Sequence, residues 1–263
     1  MSETLRLERG PDRTAVLTMN RPEKYNAMNH AMFRELPETL RALDADPDVS
    51  VCVLTGAGSC FSAGGDIADF DSLEGIEDYR GQVDLALSAF SAVECCQTTV
   101  IAAVDGIAFG GGTELVLACD IVIASERARF AFKEVTLGLM PGYGLMRGPD
   151  VIGRPWTRRL ALTGDEIDAR VAERIGLVQE VVPHANLLEH ARDLARRIGR
   201  NSPTAVQSGK RMINREIGPP GLAGAIEATA LLQATPECRQ QVAEFMAERA
   251  RRRARPDPPS VGR

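Results

Sequence analysis

The sequence has only three histidines, and its six cysteines are scattered: Cys52, Cys60, Cys95, Cys96, Cys119 and Cys238. No C-x-x-C pair occurs, and His30, His184 and His190 show no paired ligand spacing, so no zinc or other metal site is expected. Cys52 lies inside an apolar run, and free thiols in a reducing compartment are the simplest reading. Positive charge is not in excess. Lys and Arg number 31 against 36 Asp and Glu, a formal net charge of −5, which disfavours non-specific binding to nucleic acid. No apolar run is long enough to span a bilayer, and no secretory, transit or peroxisomal signal is read. A soluble cytoplasmic protein with no nucleic-acid or membrane partner is therefore expected.

Familiar catalytic motifs are missing too. There is no G-x-x-x-x-G-K-[ST] phosphate loop, no G-x-S-x-G elbow and no H-E-x-x-H. Gly142 and Gly144 are followed by Gly148, the wrong spacing for G-x-G-x-x-G. Chemistry must come from carboxylates, backbone donors or thiols.

What is present is an ordinary globular composition, 263 residues with 44% hydrophobic and 25% charged. Residues 4–8 and 14–19 read as strands of a hairpin around Gly10-Pro11-Asp12. Met32, Phe33, Leu36, Leu40 and Leu43 have helical spacing, with a kink or a late start expected at Pro37. Residues 51–55, 98–104 and 121–124 are apolar on both faces, as in a parallel sheet covered by helices. Residues 66–79 are polar and irregular and are expected to be mobile, with helical periodicity resuming over 83–93. Beyond Gly153 the chain reads as helical apart from 177–182, with apolar stripes over 187–198, 205–217 and 222–232. The arginine-rich tail after Arg249 reads as a frayed end. Alternating strands and helices give an α/β fold.

Two glycine-rich stretches carry the chemistry. In the first, residues 98–104 form a buried strand, Gly110-Gly111-Gly112 follow, and Leu115 to Ala118 form the apolar body of a helix. The first N–H groups of a helix lack intrahelical acceptors, and the helix dipole adds partial positive charge there. The glycine run therefore offers bare N–H donors to an oxygen that becomes negative, with Glu114 beside them in the first turn. One glycine would suffice for a turn, and each extra one costs about 0.5–1 kcal/mol, so three argue for more than a turn. The second stretch, Phe61-Ser62-Ala63-Gly64-Gly65-Asp66, likewise leaves a buried strand through glycines.

Together with Asn20-Arg21-Pro22, Asn26-Ala27, the run from Phe130 to Glu134, Gly138 and Pro141-Gly142, these stretches resemble the enoyl-CoA hydratase/isomerase superfamily, the crotonases. A weaker resemblance continues through Leu162-Thr163-Gly164 and residues 172–182. The resemblance implies a crotonase-like spiral of β-β-α units over 1–195 holding CoA and the active site. It implies a C-terminal helical trimerisation region over 196–250, and 251–263 read as a disordered tail. It implies oxyanion donors at the N–H groups of Gly65 and Gly111. Glu114 would activate water for attack at C3 and Glu134 would deliver a proton to C2. The acyl-CoA would lie along Lys24, Tyr25, Ala63, Gly65, Asp66, Ile67, Ala68, Gly111, Pro141 and Gly142. No separate cofactor is implied, because CoA is part of the substrate. Self-association into a trimer or a dimer of trimers is implied as well. Both glutamates favour hydration of a 2-enoyl-CoA. Δ3-Δ2 isomerisation, hydratase-lyase chemistry and a non-catalytic acyl-CoA-binding or RNA-associated role are the alternatives. The sequence departs from the family pattern after Gly142, where Tyr143-Gly144-Leu145-Met146-Arg147 replaces a small residue and two glycines, which predicts a reshaped acyl pocket.

Overall fold

The computed structural model describes residues 4–72 and 76–214, with the single positions 240, 247 and 251 beyond them. The expected stripe over 222–232 and the arginine-rich tail, apart from the single position 251, lie outside those residues. The chain parts into two units, Met1–Pro203 and Thr204–Arg263.

The hairpin forms as read, β1 (Leu5–Arg9) pairing antiparallel with β2 (Thr14–Met19). Helix α1 (His30–Asp44) follows, capped by the Asn29 side chain, which accepts from the Met32 N–H. It runs through Pro37 rather than starting there. Buried Met32, Phe33, Leu36, Leu40 and Leu43 anchor it on both sides of the proline. That packing outweighs the one backbone bond Pro37 cannot make.

β3 (Val51–Gly56) leads to a 3-10 turn at Ile67–Ser72 and then to helix α2 (Ile76–Cys95), which starts earlier than the apolar periodicity indicated. Its first turns are exposed at residues 77–81, so they carry no apolar stripe to read. Next come β4 (Thr99–Val104), β5 (Ile107–Phe109), α3 (Gly111–Ala118), β6 (Ile121–Ser125) and β7 (Arg129–Ala131). Helices α4 (Gly142–Val151) and α5 (Gly153–Thr163), strand β8 (Ile167–Asp168), helix α6 (Ala169–Arg174), strand β9 (Glu180–Val182) and helix α7 (Leu187–Gly199) complete the first unit. Helix α8 (Pro203–Ile213) begins at the last residue of the first unit; the rest of it, Asn214 and the single positions 240, 247 and 251 are the described part of the second.

The main sheet has the order β1-β2-β3-β4-β6-β9 and is parallel after the first pair. Both faces are covered, which explains the unbroken apolar runs. Alternation sorts them: Val51, Val53, Ile101 and Ala103 face Leu187, Ala191 and Ala195 of α7, while Cys52, Leu54, Val100 and Ala102 join the larger core on the opposite face. A second, three-stranded sheet runs β5-β7-β8. A strand of the large sheet followed by a short strand of the small one recurs at β4-β5 and β6-β7, the first pair leading into α3. This is the β-β-α spiral the resemblance implies. The short strands escape sequence reading because two or three residues show no period.

Candidate active site

Each of the three consecutive glycines has its own reason. Gly110 sits at φ 53° and ψ −124°, a conformation that L side chains rarely adopt. A Cβ there would also come within 2.9 Å of Glu134 Oε1. At Gly112 a Cβ would meet the Ser62 carbonyl oxygen at 2.5 Å, so the helix start and the 61–66 turn touch backbone to backbone. At Gly111 it would meet Met28 Cε at 3.2 Å, Phe90 Cζ at 3.4 Å and the Gly65 nitrogen at 3.5 Å.

The last distance brings the two expected donors side by side. The turns are stitched together by the Phe109 N–H donating to Ser62 O at 2.9 Å and by the Ser62 N–H donating to Ile107 O at 3.0 Å. Gly64, at φ 101°, turns the chain so that the Gly65 N–H follows. Among the described residues neither the Gly65 nor the Gly111 N–H has an acceptor. A Cβ on Gly65 would meet nothing within 4 Å. Two neighbouring unpaired N–H groups, with open space beside Gly65, can hold one oxygen between them.

Two residues without an assigned role in the sequence frame this pair. Arg21 donates to Ala27 O at 2.6 Å and to Asp66 Oδ2 at 2.8 Å. Burial pushes the Asp66 carboxyl up, but bonds from Arg21 and the Ala68 N–H outweigh it and hold it below its ordinary value. Asn26, fully buried and at φ 53°, donates to Ala57 O at 2.8 Å and Cys60 O at 2.9 Å and accepts from the Arg21 N–H at 3.0 Å. It ties the 20–29 loop to the loop after β3.

The carboxylates lie beside the donors. Glu114 is buried in the first turn of α3. Helix α4 starts without a side-chain cap of its own, and Glu114 serves instead. Its Oε1 accepts the Gly144 N–H at 2.9 Å, and the carboxylate also accepts the Tyr143 N–H. Burial raises its pKa, while those two donors oppose the rise and stabilise the ionised form. Glu134, in the 3-10 turn Lys133–Leu137, is half-buried. Burial first, and the Glu114 charge second, push its pKa up to about 7. Its Oε2 is buried with no hydrogen-bond partner among the described residues. Glu114 thus has two donors from the start of α4 for its charge, while Glu134 has only its own backbone N–H and an unpaired Oε2, so the two carboxylates differ in environment.

Comparisons with known proteins identify the family. The family model for enoyl-CoA hydratase/isomerase matches residues 10–252. The chain is 38% identical over 247 residues to the 2,3-dehydroadipyl-CoA hydratase of Escherichia coli, covering 90% of this chain and 93% of that one. It is 39% identical over 205 residues to the short-chain-enoyl-CoA hydratase of Clostridium acetobutylicum, covering 77% and 78%. Among solved structures, an enoyl-CoA hydratase from Bacillus anthracis matches with a TM-score of 0.89 at 32% identity, over 93% of this chain and 96% of that one. The chain belongs to the enoyl-CoA hydratase/isomerase family.

The segments expected to take CoA in this enoyl-CoA hydratase/isomerase family member meet. The Ala63 N–H donates to Tyr25 O at 2.9 Å, and Met28 bridges Gly65. Lys24, Tyr25, Ile67 and Ala68 are exposed next to the half-buried Ala63, Gly65 and Asp66, so they form an accessible shelf leading to the donors. Pro141 is the buried residue before α4 and Gly142 its first, with Leu87 Cδ2 3.3 Å from where a Gly142 Cβ would lie. Tyr143 is fully buried, its ring edge-on to Phe90 at 5.6 Å between centroids. Its hydroxyl donates to Glu94, which also binds Arg147 through Nε at 2.9 Å and Nη2 at 2.8 Å. Phe90 and Glu94 have no local signal in the sequence. Only the departure at Tyr143 marks this region.

Proposed function

We propose that the protein is a hydro-lyase that adds water across the double bond of a trans-2-enoyl-CoA. The thioester oxygen sits between the N–H groups of Gly65 and Gly111, which stabilise the negative charge of an enolate. A water lies between the two carboxylates. Glu114 takes its proton as hydroxide adds to C3, and the C2–C3 π electrons move toward the thioester oxygen. Glu134 then gives its proton to C2, collapsing the enolate to the 3-hydroxyacyl thioester. No cofactor enters this route. The observation that carries the reading is the placement of the pair: Glu114, accepting two N–H groups, and Glu134, its pKa pushed up to about 7, both lie beside the Gly65 and Gly111 donors. The names of the E. coli and Clostridium relatives support the same substrate class.

Glu114→Gln tests it. Hydration of a 2-enoyl-CoA, followed by loss of the conjugated thioester absorbance, should fall by at least about 10²-fold. Exchange of the C2 proton of a saturated acyl-CoA in deuterated water should survive better, because it needs only Glu134 and the donors. Glu134→Gln should impair both. Wild-type protein that isomerises 3-enoyl-CoA but leaves 2-enoyl-CoA unchanged would make Δ3-Δ2 isomerisation the reaction instead.

The same proposal places the protein in the cytoplasm as a trimer or dimer of trimers. The five described cysteines are free, in keeping with a reducing compartment, and no described helix is long and apolar enough to cross a membrane. Exposed Leu137, Leu139, Met140, Leu145 and Met146 supply apolar surface of the kind that marks an interface. Light scattering showing a monomer at micromolar concentration would exclude the assembly.

A further inference from the structure

We propose that Tyr143, locked by Glu94 and Arg147, closes the acyl subsite, so that the enzyme takes short, uncharged acyl chains. The proposal rests on the hydratase reading for the direction of the chain. With the thioester oxygen on Gly65 and Gly111 and C2 and C3 at the two glutamates, the acyl carbons beyond C3 continue past Glu114. The groups bonded to Glu114 are the N–H groups of Tyr143 and Gly144 at the start of α4. The chain is therefore aimed at the space between that helix start and α2. The Tyr143 ring fills it. It is fully buried and packs edge-on against Phe90, whose Cζ lies 3.4 Å from the Cβ position of Gly111. Phe33 continues the aromatic row, 5.9 Å from Phe90 between centroids.

The ring is not free to swing aside. Its hydroxyl is spent on Glu94, and Glu94 is held through both oxygens by Arg147. The same cluster decides the character of the chain end. Arg147 is already paired with Glu94 and lies 3.8 Å from Asp150, so two carboxylates surround one cation. A terminal carboxylate on the substrate would add a third negative charge next to a satisfied arginine. A chain ending in methyl suits the apolar ring face.

The test measures two properties on the full-length protein. Hydration kcat/KM is taken for trans-2-enoyl-CoA of 4, 6, 8 and 10 carbons and for a six-carbon chain ending in carboxylate. Dissociation constants are taken by calorimetry for the matching saturated acyl-CoA esters, which bind without turnover. In an open apolar channel each added methylene would tighten binding about fourfold. The wild type should gain nothing beyond six carbons and should bind the carboxylate-ended chain at least tenfold more weakly than its methyl-ended counterpart. Tyr143→Ala should bind the 8-carbon ester at least tenfold more tightly than wild type does. Tyr143→Leu, which keeps most of the apolar volume for folding, should extend the limit by one or two carbons, and Tyr143→Phe should keep it. A wild-type protein whose affinity rises steadily to 10 carbons, or a Tyr143→Ala or Tyr143→Leu profile that overlays the wild type, overturns the proposal. If no enoyl-CoA is hydrated, the hydratase reading fails, while the chain-length profile of saturated esters still decides the role of Tyr143.

Discussion

Glu134→Gln should stabilise the folded protein at alkaline pH while impairing its chemistry. In the folded chain burial and the Glu114 charge raise the Glu134 pKa from 4.5 to about 7. Unfolding returns it to its ordinary value, so between pH 4.5 and 7 the folded chain holds a proton that the unfolded chain has released. The folded state then binds more protons, and stability falls as pH rises across that window. Above pH 8 the full difference applies, about 3 kcal/mol, the equivalent of the rise from 4.5 to about 7. Gln keeps the shape and carries no charge at any pH. Near pH 4.5 the two proteins should unfold alike. At pH 8.5 Glu134→Gln should be the more stable by about 2–3 kcal/mol. Groups that titrate equally in both cancel in the comparison, and the repulsion from Glu114 is already contained in the Glu134 shift. The assay is urea unfolding of both proteins at equal concentration across pH 4.5–8.5. Equal stability at every pH would show that Glu134 ionises in the fold as it does in water, and the proton-donor role would lose its basis.

Three further outcomes follow from the same geometry. Hydration by the wild type should decline as pH rises through about 7, because Glu134 must start protonated, and a rate still rising above pH 8 would exclude it as the acid. Gly111→Pro removes a donor at the first position of α3, where proline suits a helix start, and should cut turnover by about 10²–10³-fold. Because added carbons would press on Met28 and Phe90, folding is checked by circular dichroism, and a folded, fully active variant would take Gly111 out of the site. Asn26→Ala strands the carbonyls of Ala57 and Cys60 and the Arg21 N–H and puts alanine at φ 53°, so it should destabilise the protein by about 2–4 kcal/mol. A loss under about 1 kcal/mol in urea unfolding would mean those groups find water.

The sequence by itself determined the parts whose cause is local. The buried strands could be read because β3, β4 and β6 are apolar on both faces, and α7 because Leu187, Ala191 and Ala195 fall on one stripe. Glu114 and Gly111 could be placed because strand, glycines and helix are consecutive along the chain. The tertiary structure decided what distant segments do to one another. Burial of Glu134 comes from packing rather than from its neighbours in sequence, since Lys133 turns away to Gly164 O and Glu166. The need for Gly110 and Gly112 lies in Glu134 and Ser62, 24 and 50 residues away along the chain. The start of α2 at Ile76 and the passage of α1 through Pro37 were settled by the packing of whole helices. The role of Tyr143 as a filler between two helices depends on Phe90 and Glu94, a partnership that exists only once α2 and α4 lie together.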